Sequence, residues 1–140
     1  MKALLMKAYY CEGKKDYINF KLQKAAQSLK EARLLMQNDM HDTAVSRLYY
    51  AAFYAVNALL IAYGFNPKTH SGSKTIFNKE FILTGKIDSR FSDFYSFLMA
   101  KRFEADYDDF AFIDETKMLP LYVETEEFIA LLIEIIKTDM

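Results

Sequence analysis

The sequence predicts an all-α protein, an antiparallel bundle of four long helices and one short helix, and three observations carry that expectation. Its 140 residues include only 4 glycines and 2 prolines, too few for a sandwich or barrel, where a turn signal is needed about every 8 to 12 residues. Apolar residues recur in steps of three and four over several long stretches, the period of a helix with one buried face. The connections between those stretches are short, which favours antiparallel neighbours. Hydrophobic residues at 52% and charged residues at 26% exclude a disordered or collagen-like chain. A chain of this size hides roughly two thirds of its unfolded surface around one core. The expected organisation is therefore a tail over residues 1–15 and one domain over 16–140.

The elements follow in order. Residues 1–15 have no sustained period and end in Glu12-Gly13-Lys14-Lys15, so they read as a tail or a short preliminary helix. Asp16 suits a helix N-cap, and Ile18, Leu22, Ala25, Leu29, Ala32 and Met36 then form one stripe of a helix running to about Met40. A second helix is expected over about 43–63, capped by Asp42 or Thr43 and closed by Gly64 with Pro67 beyond. One of its faces carries Ala44, Leu48, Ala51, Ala55, Ala58 and Ala62, small enough to let a neighbour approach closely. Another reads Arg47, Tyr50, Tyr54, Asn57, Ile61, a polar seam whose groups should bond to one another, since burying them unpaired costs on the order of 1 to 3 kcal/mol each.

The segment Asn66-Pro67-Lys68-Thr69-His70-Ser71-Gly72-Ser73 is a loop, and Ser71 or Ser73 can cap a short helix over about 73–84 that ends at Gly85 and turns Ile76, Phe77 and Phe81 inward. Asp88 caps a fourth helix of about 89–105 with the stripe Phe91, Phe94, Leu98, Arg102, Ala105. An irregular acidic stretch, Asp106 to Asp109, leads through Phe110 to a last helix of roughly 116–138, where Pro120 is tolerable in or near the first turn. Apolar residues surround that last helix (Phe128, Ile129, Leu131, Leu132, Ile133, Ile135, Ile136). This surplus, with 22 aromatic residues, makes a homodimer the default.

Net charge is −1 but unevenly placed: residues 1–40 carry eight basic against four acidic groups, 41–103 the same, and 104–140 two against eleven. A basic body can attract phosphate, or the acidic helix can pack beside it and cancel the field. The single cysteine, Cys11, cannot form an internal disulfide. With no signal-peptide core and no run approaching the 18 or so residues of a membrane span, the expected setting is the cytoplasm, away from membranes.

Several chemistries are excluded by spacing. No Glu is followed three residues later by His, as a carboxylate-bridged metal site in a bundle needs, and His41 and His70 are the only histidines, so no metal and no cofactor are expected. There is no Gly-x-Gly-x-x-Gly, Walker loop or Gly-x-Ser-x-Gly. What remains is a set of phosphate-seeking groups. His70, with Lys68 just before it, stands at a loop leading into a helix N-terminus, where it either contacts a phosphate or fixes the loop. Arg102 sits where an apolar residue is expected; it cannot shed its proton and must find a carboxylate or an external phosphate. Asp106, one turn on, is the internal partner, with Arg47 competing for it. With Tyr50 and Tyr107 nearby, arginines and tyrosines around a groove would bind the backbone and stack the bases of single-stranded RNA.

The run Ala44-Val45-Ser46-Arg47-Leu48-Tyr49-Tyr50-Ala51-Ala52-Phe53, then Pro67-Lys68-Thr69-His70-Ser71-Gly72, then Arg102 with Ala105-Asp106-Tyr107, resembles the small prokaryotic HEPN-domain proteins (higher eukaryote and prokaryote nucleotide-binding) over about residues 17–138. The resemblance implies a dimerising helical bundle, often paired with a minimal nucleotidyltransferase in a toxin–antitoxin module. In catalytic members an Arg is followed after four to six residues by His, and two such motifs meet across the dimer to cleave RNA without metal. Arg102 matches the Arg, but Tyr107, Asp108 and Asp109 stand where the His should fall. The resemblance therefore implies an RNA- or partner-binding protein with impaired catalysis; the alternative is a metal-independent endoribonuclease in which Arg102 works with Asp106, Tyr107 or His70 in place of the missing imidazole.

Overall fold

The computed structural model describes the backbone of residues 2–108 and 113–139, and the side chains of 13–108 and 113–139. Cys11, Asp109 and Phe110 lie outside the described side chains. Five helices follow in order: α1 (Lys2–Gln37), α2 (His41–Ala62), α3 (His70–Phe77), α4 (Ser89–Tyr107) and α5 (Glu115–Asp139), with a π-helical turn, Asn78–Ile82, continuing α3. No strand occurs among the described residues, so the chain is the all-α bundle that its periodicity predicts.

The core is built around α2, which packs against α1, α3, α4 and α5. Its alanine face is the reason: Ala44, Ala51, Ala55 and Ala58 are fully buried with Leu48, and α1 lies most extensively against α2. Small side chains at the crossing let the helix axes come close while Leu48 and Leu59 fill the space between. By length and composition α2 could cross a membrane, but 78% of that stretch is buried inside the fold, the environment of a central core helix. The α1 stripe is also inward: Ile18, Ala25 and Ala32 are buried, and Leu22, Leu29 and Met36 pack at the edge. Phe128 and Leu132 of α5 close the core against α3 and α4, Phe128 meeting Phe77, Phe91, Phe94 and Tyr95 at ring-centroid distances of 5.7–6.0 Å.

Three boundaries differ from the expected ones, each for a local reason. The first helix does not begin at Asp16 but at Lys2. Gly13 costs a helix roughly 1 kcal/mol, but the preceding residues are mostly strong helix formers (Ala, Leu, Met, Lys), so one glycine is not a stop. The second helix is not capped by Asp42 or Thr43; it starts at His41 behind Met40, with no side-chain cap. The preceding turn explains this. Asp39 takes a left-handed conformation (φ 59°), and the Met40 N–H donates to the Leu35 carbonyl at 2.9 Å, so the chain reverses within three residues and enters α2 directly. The third helix is capped by Thr69, whose Oγ1 accepts from the Gly72 N–H at 2.8 Å, rather than by Ser71 or Ser73. Pro120 stands inside α5, just past its first turn; Asp114 caps that helix by accepting from the Thr116 N–H at 3.0 Å. The expected Asp88 cap of α4 is present, with the Arg90 N–H donating to Oδ1 at 2.9 Å. Gly64 (φ 88°) ends α2 in the left-handed turn that favours glycine.

Candidate functional site at the Arg102 cleft

The stripe Phe91, Phe94, Leu98 drives α4 into the core, and the next residue of that stripe is Arg102. Buried apolar neighbours hold the α4 backbone, so the guanidinium has nowhere to go but the cleft between α4 and α2. Its side chain is 19% exposed. There it lies over the rings of Tyr49 (5.7 Å) and Tyr50 (5.4 Å), and Nη2 donates to the Tyr50 hydroxyl at 3.0 Å. Asp106, one turn on, forms the expected ion pair, Nε to Oδ2 at 3.0 Å. That N–H is not aligned as a hydrogen bond, so the attraction is chiefly charge on charge. The other carboxylate oxygen is also taken: Ser46 Oγ of α2 donates to Asp106 Oδ1 at 2.9 Å. Two elements therefore lock one acid beside one cation.

Beside this pair sits a second couple. The Tyr49 ring is fully buried and its hydroxyl lies 2.7 Å from His70 Nδ1, while the imidazole stacks on Phe53 at 4.2 Å. Burial pushes the Tyr49 phenol up to about 12, the nearby Arg102 charge opposing it only in part. Burial first, and the Arg102 charge second, lower the His70 pKa below its ordinary 6.5. With the phenol protonated and the imidazole neutral, the bond takes one of two forms: Tyr49 donates to Nδ1 and the ring proton stands on Nε2, or Nδ1–H donates to the Tyr49 oxygen and Nε2 carries the lone pair. His70 thus does not brace its own loop; it ties the start of α3 to α2. Behind Tyr49 the Tyr95 ring stacks at 6.1 Å, and its hydroxyl is buried without an aligned hydrogen bond.

Of the residues singled out from the sequence, Arg102, Asp106, Tyr50 and His70 come together. Tyr107 does not join them: it is 67% exposed and packs on Phe103 at 4.9 Å. Lys68 is exposed on the α2–α3 connection. Arg47 does not compete for Asp106; it pairs with Glu31 at 3.5 Å and covers the Tyr50 ring at 4.9 Å. The polar seam of α2 is likewise not self-contained, since Asn57 accepts from Ser73 Oγ of α3 at 2.9 Å. Taken residue by residue, the sequence does not single out Tyr49 or Ser46. The signal was available in Tyr49: a buried tyrosine requires a partner for its hydroxyl.

Comparison with known proteins decides the family. The family model described as "HEPN domain" matches residues 18–136. The chain belongs to the HEPN domain family. A "UPF0332 protein" of Thermotoga maritima is 34% identical over 116 residues, 83% of this chain and 88% of that protein. Two proteins of Methanocaldococcus jannaschii, each named "Putative toxin", are 41% identical over 62% of the chain and 59% of the relative, and 33% identical over 76% of each. The matched region of this HEPN protein contains the whole Arg102 cleft. Among the described residues, one group has metal-ligand spacing, Asp39, His41 and Glu115, with ligand atoms within 4.8 Å of one another; it shares no residue with the cleft.

Proposed function

We propose that this HEPN protein is a cytoplasmic homodimer that binds single-stranded RNA at the Arg102 cleft without cutting it efficiently, as the RNA- or partner-binding member of a module with a nucleotidyltransferase. Cleavage through the 2′-hydroxyl needs a base for that proton, an acid for the leaving oxygen and a cation for the phosphorane. The observation that carries the proposal is the state of the acid–base groups. Both oxygens of Asp106 are engaged, by Arg102 and by Ser46. His70 Nδ1 is engaged by Tyr49, and with Tyr49 as the donor the imidazole offers an N–H rather than a lone pair. Tyr107 faces solvent away from Arg102. A cation, a phenol and an N–H donor suit a phosphate that is held.

Binding is tested with labelled single-stranded RNA and purified protein: Arg102→Ala should weaken binding several-fold and flatten its salt dependence. Equal binding by wild type and Arg102→Ala would remove the cleft from the account. The dimer, with the two Arg102 side chains at a shared cleft, is tested by sedimentation; a stable monomer at micromolar concentration contradicts it. One observation favours the second reading, a metal-independent endoribonuclease toxin: a neutral imidazole, His70, shares the Tyr49–Tyr50 platform with Arg102. In that reading the tautomer of His70 reverses and Nε2 becomes the base.

A further inference from the structure

A line of rings and cations leaves the Arg102 cleft and runs along the α1–α2 surface. Tyr50, which Arg102 touches, meets Tyr54 one turn on at 6.3 Å between centroids. Two lysines of α1 converge on Tyr54, Lys21 Nζ at 5.6 Å and Lys24 Nζ at 5.5 Å. Each lysine also covers a second ring: Lys21 lies 5.3 Å from Tyr17 and Lys24 5.3 Å from Phe20. Tyr17 is 44% exposed and Phe20 48%, so both rings are open to solvent beside the lysines. Between residues 14 and 30 the sequence carries five lysines against the single acid Asp16. The nearest acid beyond, Glu31, is already paired with Arg47. The aromatic faces therefore hold two ammonium groups in place, and among the described residues neither has a carboxylate partner.

We propose that this strip is the path of the RNA strand beyond the Arg102 cleft, with Lys21 and Lys24 holding phosphates and Tyr17 and Phe20 stacking bases. The inference rests on the RNA-binding reading above and extends it from one cleft to a track. Charge selects the occupant. A second copy seated here about a two-fold axis would bring Lys21 and Lys24 of both chains together with only Asp16 to relieve them. A polyanion with flat bases meets both features at once, which is the general recipe for single-strand binding.

The test measures anisotropy of labelled oligonucleotides, one of about four nucleotides that can fill the cleft alone and one of about twelve that can also follow the strip, lengths within the usual range of single-strand site sizes. The proteins are wild type, Lys21→Gln/Lys24→Gln, Tyr17→Ala/Phe20→Ala and Arg102→Ala. For the long strand, the lysine variant should lower affinity about tenfold at low salt and reduce the slope of log K against log salt by about 1.4, since each phosphate contact contributes about 0.7 on a single strand. The aromatic variant should lower affinity similarly while leaving the slope in place. Neither should change binding of the short strand, which Arg102→Ala should weaken. If both strip variants bind the long strand like wild type while Arg102→Ala does not, the track is wrong and the cleft stands. If wild type binds neither strand, the RNA reading itself fails and the track with it. If the strip variants convert a dimer to a monomer in sedimentation with RNA affinity intact, the strip is a contact between copies and the proposal is overturned.

Discussion

Replacing Tyr49 by Phe isolates the bond that sets the state of His70. The ring is fully buried between Phe53, at 6.0 Å, and Tyr95, at 6.1 Å, and phenylalanine keeps both stacks, so the change removes one hydroxyl from a 2.7 Å contact with Nδ1. The net loss for one such bond is about 1 kcal/mol. For a domain of this length that lowers Tm by roughly 3–5 °C. With Tyr49 as the donor, the same bond stabilises the neutral imidazole, so its removal should raise the His70 pKa. The sign for stability follows from the direction of the shift. The folded His70 pKa lies below 6.5, so the unfolded chain takes up its proton first; the contribution of His70 is present above pH 6.5 and is lost as pH falls through the folded value. In Tyr49→Phe that loss should still begin near pH 6.5 but end at a higher folded pKa, and so be smaller. Proton NMR titration of the two imidazoles, assigned with a His41→Gln control, together with thermal unfolding at several pH values, reads both quantities. An unchanged His70 titration and an unchanged Tm would refute the bond and the tautomer built on it.

Three further outcomes follow from the same geometry. Gly64→Ala should cost about 1–2 kcal/mol in chemical denaturation through the left-handed backbone alone, because a Cβ there meets nothing within 4 Å; an unchanged midpoint would mean the α2 terminus is built differently. Asp106→Asn removes the charge that competes with phosphate for Arg102 and should tighten RNA binding several-fold at low salt; weaker binding would show that Asp106 chiefly orients Arg102 for the ligand. Thr69→Ala removes the cap of α3 and should lower stability by about 1 kcal/mol, and His70 should become more exposed to exchange with solvent; equal stability would mean the cap is idle.

What the sequence revealed of this molecule depends on which physical signals are local. The stripes of α1, α2 and α4 are legible because burial imposes a 3.6-residue period on Ile18, Ala25, Leu48, Ala55, Phe94 and Leu98 alike. The start of α2 is not, because it depends on Asp39 adopting a positive φ, a conformation the eye assigns to glycine or asparagine. The beginning of α1 is not legible either, because Gly13 resembles punctuation whereas its neighbours sustain a helix. At the cleft, Arg102 was conspicuous as a charge on an apolar stripe, and Asp106 four residues on had to share its face. Tyr107 is five residues on, well over a quarter-turn further round the helix, so proximity in sequence took it away from the arginine. The Tyr49–His70 couple needed the fold, since it joins residues 21 apart across two helices. The basic strip is hidden for a different reason: Tyr17 and Phe20 each stand four residues before Lys21 and Lys24 on α1, a spacing that reads as an ordinary solvated face until the fold sets Tyr54 of α2 beside both lysines.

The central claim is that Arg102 holds RNA in a site lacking a functioning base. The most direct measurement is incubation of single-stranded RNA with the purified protein in a chelator, comparing wild type, Arg102→Ala and His70→Ala, with binding followed in parallel. The account predicts intact RNA with all three proteins and binding that Arg102→Ala weakens, the missing imidazole chemistry being worth a factor of about 10² to 10⁴ in rate. Robust cleavage by wild type that disappears in Arg102→Ala and in His70→Ala would contradict it and establish the endoribonuclease.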